Sequence, residues 1–231
     1  METSRWTCVL FDVDGTIVDS ASVVIDSFQR TLAHLNYPFR SRDELAKYVG
    51  PPLWDSFMDL GMDAEQAANA ATIYRHYYRE LFLQPEPYPG IGQLLEDLHA
   101  AGYALATATS KQEYMARDQM VHLGFDRFID VIAGAIPDPA YSKAHVIRDA
   151  LKRLEEKGLD ISRPVVVGDR SWDLEGALEV GLPAIGAGWG YSRPGEFDQA
   201  LAVAHDADEL RQLLMGDPSC LIHHAPQRSA I

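Results

Sequence analysis

The chain has 231 residues, 47% of them apolar and 23% charged, which suits one large domain or a core domain carrying an insert. Its 20 basic and 34 acidic side chains give a formal net charge of −14, which argues against nucleic acid or anionic lipid as a partner. Two cysteines, Cys8 and Cys220, make no disulfide framework, and no apolar stretch approaches the ~18 residues of a membrane span, so a cytoplasmic location is expected.

Residues 7–13 (TCVLFDV) are a short, β-rich apolar run, the pattern of a buried strand, and it stops at Asp12, Asp14 and Gly15. From about residue 19 to 84 the pattern turns helical. Val24, Phe28, Leu32 and Leu35 share one stripe, Leu53, Phe57 and Leu60 another, and residues 64–82 are a long run of helix formers. Gly50-Pro51-Pro52 breaks the pattern between helices, so the block reads as an inserted bundle of four helices. Residues 84–90 (QPEPYPG) mark a turn. Then helix and strand alternate: helix 91–101, strand 103–109, helix 113–123, strand 128–133, helix 143–157, strand 164–168, helix 173–180, strand 182–186 and a closing helix 206–214. Alternation predicts an α/β fold with a doubly wound parallel sheet, interrupted after its first strand by the helical block. The expected domains are a core of residues 1–18 and 87–216 and a helical insert of residues 19–86. Residues 217–231 are expected to form a flexible tail.

In open parallel sheets ligands bind at the carboxyl ends of the strands, so what each strand ends on is informative. The first ends on Asp12 and Asp14, the second on Thr109 and Ser110, the region after the third leads to Lys143, and the fourth ends on Asp169 with Asp173 one turn later. Carboxylates, a hydroxyl and a lysine on one edge suit phosphoryl transfer. A carboxylate such as Asp12 can attack phosphorus and carry the phosphoryl group. Asp14, two residues on and facing the same way, can protonate the leaving oxygen and then activate water. Lys143 can stabilise charge on Asp12 and on the phosphoryl oxygens, while Thr109 and the N–H of Ser110 can hold them. An anionic nucleophile meeting an anionic ester needs a cation; magnesium takes oxygen ligands, a role that suits Asp12 and Asp169, with Asp14 in the same set and Asp173 supporting it by metal-water contact or by orienting Lys143. Lys111, beside Ser110, reads as solvent-facing and stays outside the set, and the eight histidines show no zinc spacing.

FDVDGTIVDS resembles the first motif of the haloacid dehalogenase-like hydrolases, ALATATSK the second, Lys143 in YSKAHVIRDAL the third and VVVGDRSWDLEGA the fourth, in the family's order. The resemblance covers residues 7–214, and the insert is similar to the helical cap of the phosphoglycolate phosphatase branch, as are GPPL at 50–53, YPG at 88–90 and AGWGY at 187–191. It implies a Rossmann-like core under a cap that closes over the site. The activity it implies is a magnesium-dependent phosphatase acting through an aspartyl-phosphate on a small phosphorylated metabolite, phosphoglycolate or a nucleoside 5′-monophosphate foremost. A monomer is the default assembly and a dimer is allowed. The rivals are a phosphosugar mutase of the same superfamily and a non-catalytic phosphate-binding relative. Residues 20–26 lack the cap histidine of the mutases, and Asp14 argues against a dehalogenase or a phosphonate hydrolase.

Overall fold

The computed structural model describes residues 5–51, 53–136 and 141–216; Cys220, His223, His224 and the expected tail lie outside them. Along the chain run β1 (Cys8–Phe11), α1 (Ala21–His34), α2 (Arg42–Ala46), α3 (Leu53–Asp59), α4 (Ala64–Leu81), α5 (Ile91–Ala100), β2 (Ala104–Gln112), α6 (Glu113–Leu123), β3 (Val131–Ala135), α7 (Lys143–Glu156), β4 (Pro164–Gly168), α8 (Ser171–Glu179), β5 (Ala184–Ala187), β6 (Ala202–Ala204) and α9 (Ala207–Met215). The strands form one parallel sheet in the order β3-β2-β1-β4-β5-β6. This is the doubly wound α/β arrangement that the alternation predicts. The chain winds outward from β1 in one direction and from β4 in the other, so the crevice of the topological switch lies beyond their carboxyl ends.

Side-chain alternation along β1 splits the core into two layers. Val9 and Phe11 join Leu94, Leu95 and Leu98 of α5 and Leu210, Leu213 and Leu214 of α9 on one face. Cys8 and Leu10 join Val146, Ile147, Ala150 and Leu154 of α7 and Leu174 and Ala177 of α8 on the other. Both faces are covered, which is why the strands read as apolar runs rather than as alternating ones.

Cys8 is fully buried, and its thiol is pushed up to about 12 by desolvation first and by the charges of Asp130 and Asp160 next. A thiol held protonated is a poor nucleophile. In a Cys220→Ser background, an aromatic disulfide reagent at pH 8 is expected to leave the native protein unlabelled and to label one thiol after unfolding in guanidinium. Rapid labelling of the native protein would contradict this burial.

Several boundaries differ from the sequence reading. β3 begins at Val131 rather than 128, because the Phe128 N–H turns back to the Phe125 carbonyl at 3.0 Å. β5 spans Ala184–Ala187, and α8 starts at Ser171. β6 was not expected from sequence; it is three residues long. β2 runs past Thr109 to Gln112, with a shift of register against β3 between those two residues.

The contacts divide the chain into two compact units, one comprising residues 1–18 and 87–231 and the other Asp19–Glu86. Within the second, α1–α4 pack around Phe28, whose ring lies 5.1 Å from that of Phe57 and 4.9 Å from that of Tyr74. Capping boxes at Ser41/Glu44 and Asp63/Gln66 start α2 and α4. Tyr74 and Tyr78 are packing residues, Arg42 pairs with Asp26, and Lys47 pairs with Asp59. The unit's two ends lie together, the Asp19 N–H donating to the Glu86 carbonyl at 3.0 Å. In the core, Val18 and Pro87 form an isolated antiparallel bridge. No helix among the described residues is long and apolar enough to cross a membrane.

Candidate active site

The ladder of β1 continues one residue beyond the strand, with the Asp12 N–H donating to Val167 of β4 at 2.8 Å. The chain then turns tightly, the N–H groups of Ile17 and Val18 both reaching the Val13 carbonyl at 2.9 and 3.0 Å. Gly15 makes the turn with φ +83°, and a Cβ there would lie 2.2 Å from an Asp169 carboxylate oxygen. Only glycine meets both demands, a left-handed backbone and a carboxylate pressed against it. The turn leaves Asp12 buried and Asp14 partly exposed.

β4 delivers the second group. Asp169 is fully buried and accepts hydrogen bonds from the Tyr191 N–H at 2.8 Å and from the Thr16 hydroxyl at 3.5 Å. Asp173, in the first turn of α8, accepts from the Arg170 N–H at 3.0 Å, where a carboxylate also favours the helix dipole. α7 delivers the third. Lys143, its first residue, is buried, and its Nζ lies 2.9 Å from Asp12 Oδ1 and 2.5 Å from Asp173 Oδ1. Gly176 of α8 admits that side chain, since a Cβ there would fall 2.8 Å from Lys143 Cγ.

Among the described residues, one carboxylate oxygen from each of Asp12, Asp169 and Asp173 lies within 4.8 Å of the other two. One ammonium faces three carboxyls. Burial opposes the charge on Lys143, but the carboxylates of Asp12 and Asp173 outweigh it and hold the ammonium above its usual range. Desolvation raises Asp173 to about 6 against the pull of Lys143. Desolvation also raises Asp169 well above the carboxylate range, helped by the charges of Asp173 and Asp12. Ionising all three carboxyls would leave more negative charge than the cluster's own lysine balances. A hard divalent cation with oxygen ligands fits that donor set and that deficit.

The other expected residues divide. Thr109 is buried just before the shift in the β2–β3 register, its Oγ1 accepting from the Lys111 N–H at 3.2 Å, and Ser110 beside it is exposed. The Asp14 carboxylate stands outside the three-carboxylate group and instead accepts from Lys111 Nζ at 2.8 Å. Lys111 is a correction to the sequence reading. Its side chain is 2% exposed rather than solvent-facing, and it also donates to Gln119 Oε1 at 2.6 Å. Four further contributors were missed. Arg170 is clamped by Glu196 through Nε at 2.9 Å and a second nitrogen at 3.0 Å, which fixes the chain between Asp169 and Asp173. Thr16 reaches Asp169, and Trp189 Nε1 donates to the Thr16 carbonyl at 3.2 Å. Thr16 had a signal, since it closes the DxDGT segment; Arg170 and Glu196 had none, being 26 positions apart.

A family model described as haloacid dehalogenase-like hydrolase matches residues 9–187. The tyrosine-protein kinase PtkA of Mycobacterium tuberculosis is 39% identical over 212 residues, covering 89% of this chain and 72% of that protein. A 5′-nucleotidase of Pseudomonas aeruginosa is 34% identical over 91% of this chain and 96% of its own length. Among solved structures, a haloacid dehalogenase-like family hydrolase from Streptococcus pneumoniae superposes with a TM-score of 0.80 at 31% identity, covering 89% of this chain and 97% of the other.

Proposed function

The chain belongs to the haloacid dehalogenase-like hydrolases, and on that premise we propose that it hydrolyses a small phosphomonoester through a phosphorylated Asp12. The observation that carries the reading is the placement of Asp12, held by Lys143 at 2.9 Å inside a group of three carboxylates, with Asp14 two residues further on. An Asp12 oxygen attacks phosphorus, the bond to the ester oxygen breaks, and Asp14 gives that oxygen its proton. The ionised Asp14 then takes a proton from water, whose oxygen attacks the aspartyl-phosphate, and Asp12 leaves as a carboxylate with release of inorganic phosphate. Lys143 keeps Asp12 in place and offsets charge on the phosphoryl oxygens, which Thr109 and the Ser110 N–H also hold. Asp12, Asp169 and Asp173 would hold magnesium, which when bound neutralises the meeting of an anionic nucleophile with an anionic ester. Similarity to a 5′-nucleotidase supports a nucleoside 5′-monophosphate as substrate, with phosphoglycolate the other leading ester. The protein is expected to work as a monomer in the cytoplasm.

The test is phosphate release from a panel of phosphomonoesters, with magnesium and with chelator. Cleavage of one or two esters only with the metal is expected and names the substrate. Metal-independent release, or none from any ester, would sink the reading. The 39% identity to PtkA favours a second reading, transfer of the phosphoryl group from ATP to a protein tyrosine. Asp12-dependent labelling of tyrosine by ATP, with no ester hydrolysis, would select it.

A further inference from the structure

We propose that Lys111 and Gln119 form a positioning relay that fixes one oxygen of Asp14 and leaves the other free to exchange a proton with the leaving group and with water. The inference rests on the reading of Asp14 as general acid and base. It adds two residues that this reading does not use.

Three features converge on Lys111. First, its side chain is almost wholly buried, yet it ends in a charge. A buried ammonium is costly unless it is held by oxygen atoms, and two are present: Asp14 Oδ1 at 2.8 Å and Gln119 Oε1 at 2.6 Å. Gln119 lies on α6 and is fully buried, so the relay is anchored in a helix rather than in a loop. Second, the backbone is shaped to aim Lys111. The register of β2 against β3 shifts between Thr109 and Gln112, the kind of irregularity that redirects a side chain at a strand end. Third, Gly134 of β3 makes room for that path, since a Cβ there would lie 2.6 Å from the Lys111 carbonyl.

The consequence for Asp14 is geometric. Its side chain is 31% exposed, so it is reachable from solvent, and a lone exposed aspartate samples several rotamers. Tethering Oδ1 to an ammonium that is itself tethered removes that freedom and keeps Oδ2 outside the ion pair. Proton transfer requires a donor within hydrogen-bond reach of the departing oxygen, so in the step that forms the aspartyl-phosphate the benefit appears only where the leaving group needs the proton, while the water step is common to every ester.

The experiment compares Lys111→Met, Gln119→Leu, Asp14→Asn and the Lys111→Met/Asp14→Asn double variant on p-nitrophenyl phosphate, phenyl phosphate and glycerol 2-phosphate with magnesium. p-Nitrophenolate departs readily without a proton; the other two leaving groups do not. In Lys111→Met, kcat/KM, which reports the steps through departure of the leaving group, is expected to fall roughly 10- to 100-fold on the two poor leaving groups and less than about 3-fold on the nitrophenyl ester. Gln119→Leu should show the same bias with smaller loss. In the double variant, Lys111→Met should add little to the loss from Asp14→Asn. Equal losses across the three esters, or losses that add fully in the double variant, would show a merely structural lysine and overturn the relay. If Lys111→Met does not fold, the bias in Gln119→Leu decides alone, and a uniform loss there counts against the relay. An Asp14→Asn variant with no leaving-group bias, or a wild type that releases phosphate neither from these esters nor from any of the wider panel, removes the underlying mechanism instead and the relay with it.

Discussion

Asp12→Asn is expected to lower ester hydrolysis by about 10⁴-fold or more, to the limit of detection, because an amide neither attacks phosphorus nor leaves as a stable anion. The fold should survive the change. The Asp12 N–H contact to Val167 belongs to the main chain, and an amide oxygen can still accept from Lys143. Removing one of three crowded carboxyls also relieves repulsion, so in chelator the melting temperature should stay level or rise. Phosphate release and thermal unfolding measured on the same preparation separate chemistry from folding. A variant that keeps more than a small fraction of turnover would dismiss Asp12 as nucleophile.

Lys143→Met should be the most destabilising single change in the site. It leaves Asp12 and Asp173 buried without their shared ammonium, and stranding one side of a buried ion pair typically costs about 3–5 kcal/mol. The loss should depend on pH. Asp173 ionises near 6 in the folded protein against 3.8 for the free side chain, and Asp169 is raised as well. Carboxyls with raised values bind protons more tightly folded than unfolded. The stability they lend is therefore fully present below 3.8 and is lost as pH rises through the folded values. Without Lys143 the Asp173 value rises further, so the deficit relative to wild type should be small at pH 5 and full at pH 8. Thermal unfolding in chelator at the two pH values checks this, and magnesium should recover part of the deficit at pH 8. Equal deficits at both would refute the electrostatic account.

What could be read in the sequence follows from what the residues encode locally. Val165, Val166 and Val167 announce a buried strand, and the leucines of α5 announce a helix with one apolar face, so the winding of the core was legible. So were Asp12, Asp14 and Asp169, acidic residues that break an apolar run where a strand stops. β6 was not, because Ala202, Val203 and Ala204 are too few to set a period and gain strand character from pairing with β5. The stretch before β3 misled for the opposite reason, since Phe128 and Ile129 are β-prone residues that are apolar because they plug the core from a turn. Lys111 was misjudged because burial of a lysine is decided by partners elsewhere. Asp14 lies 97 positions away, and Gln119 reaches back from the next helix. No local pattern encodes that meeting.

The adjacent ends of the helical insert bear on how the chain acquires its structure. β1 must find β2 across the whole insert, with Cys8 opposite Ala104. For an unstructured chain of that length, closure carries an entropic cost and slows pairing. The insert, however, begins and ends at one point, Asp19 against Glu86. Once its helices have collapsed around Phe28 through contacts of their own, that segment acts as a knot rather than a tether. The distance along the chain that β1 must still search shrinks to the short arms on either side. The order of events that this favours is helices first and sheet second.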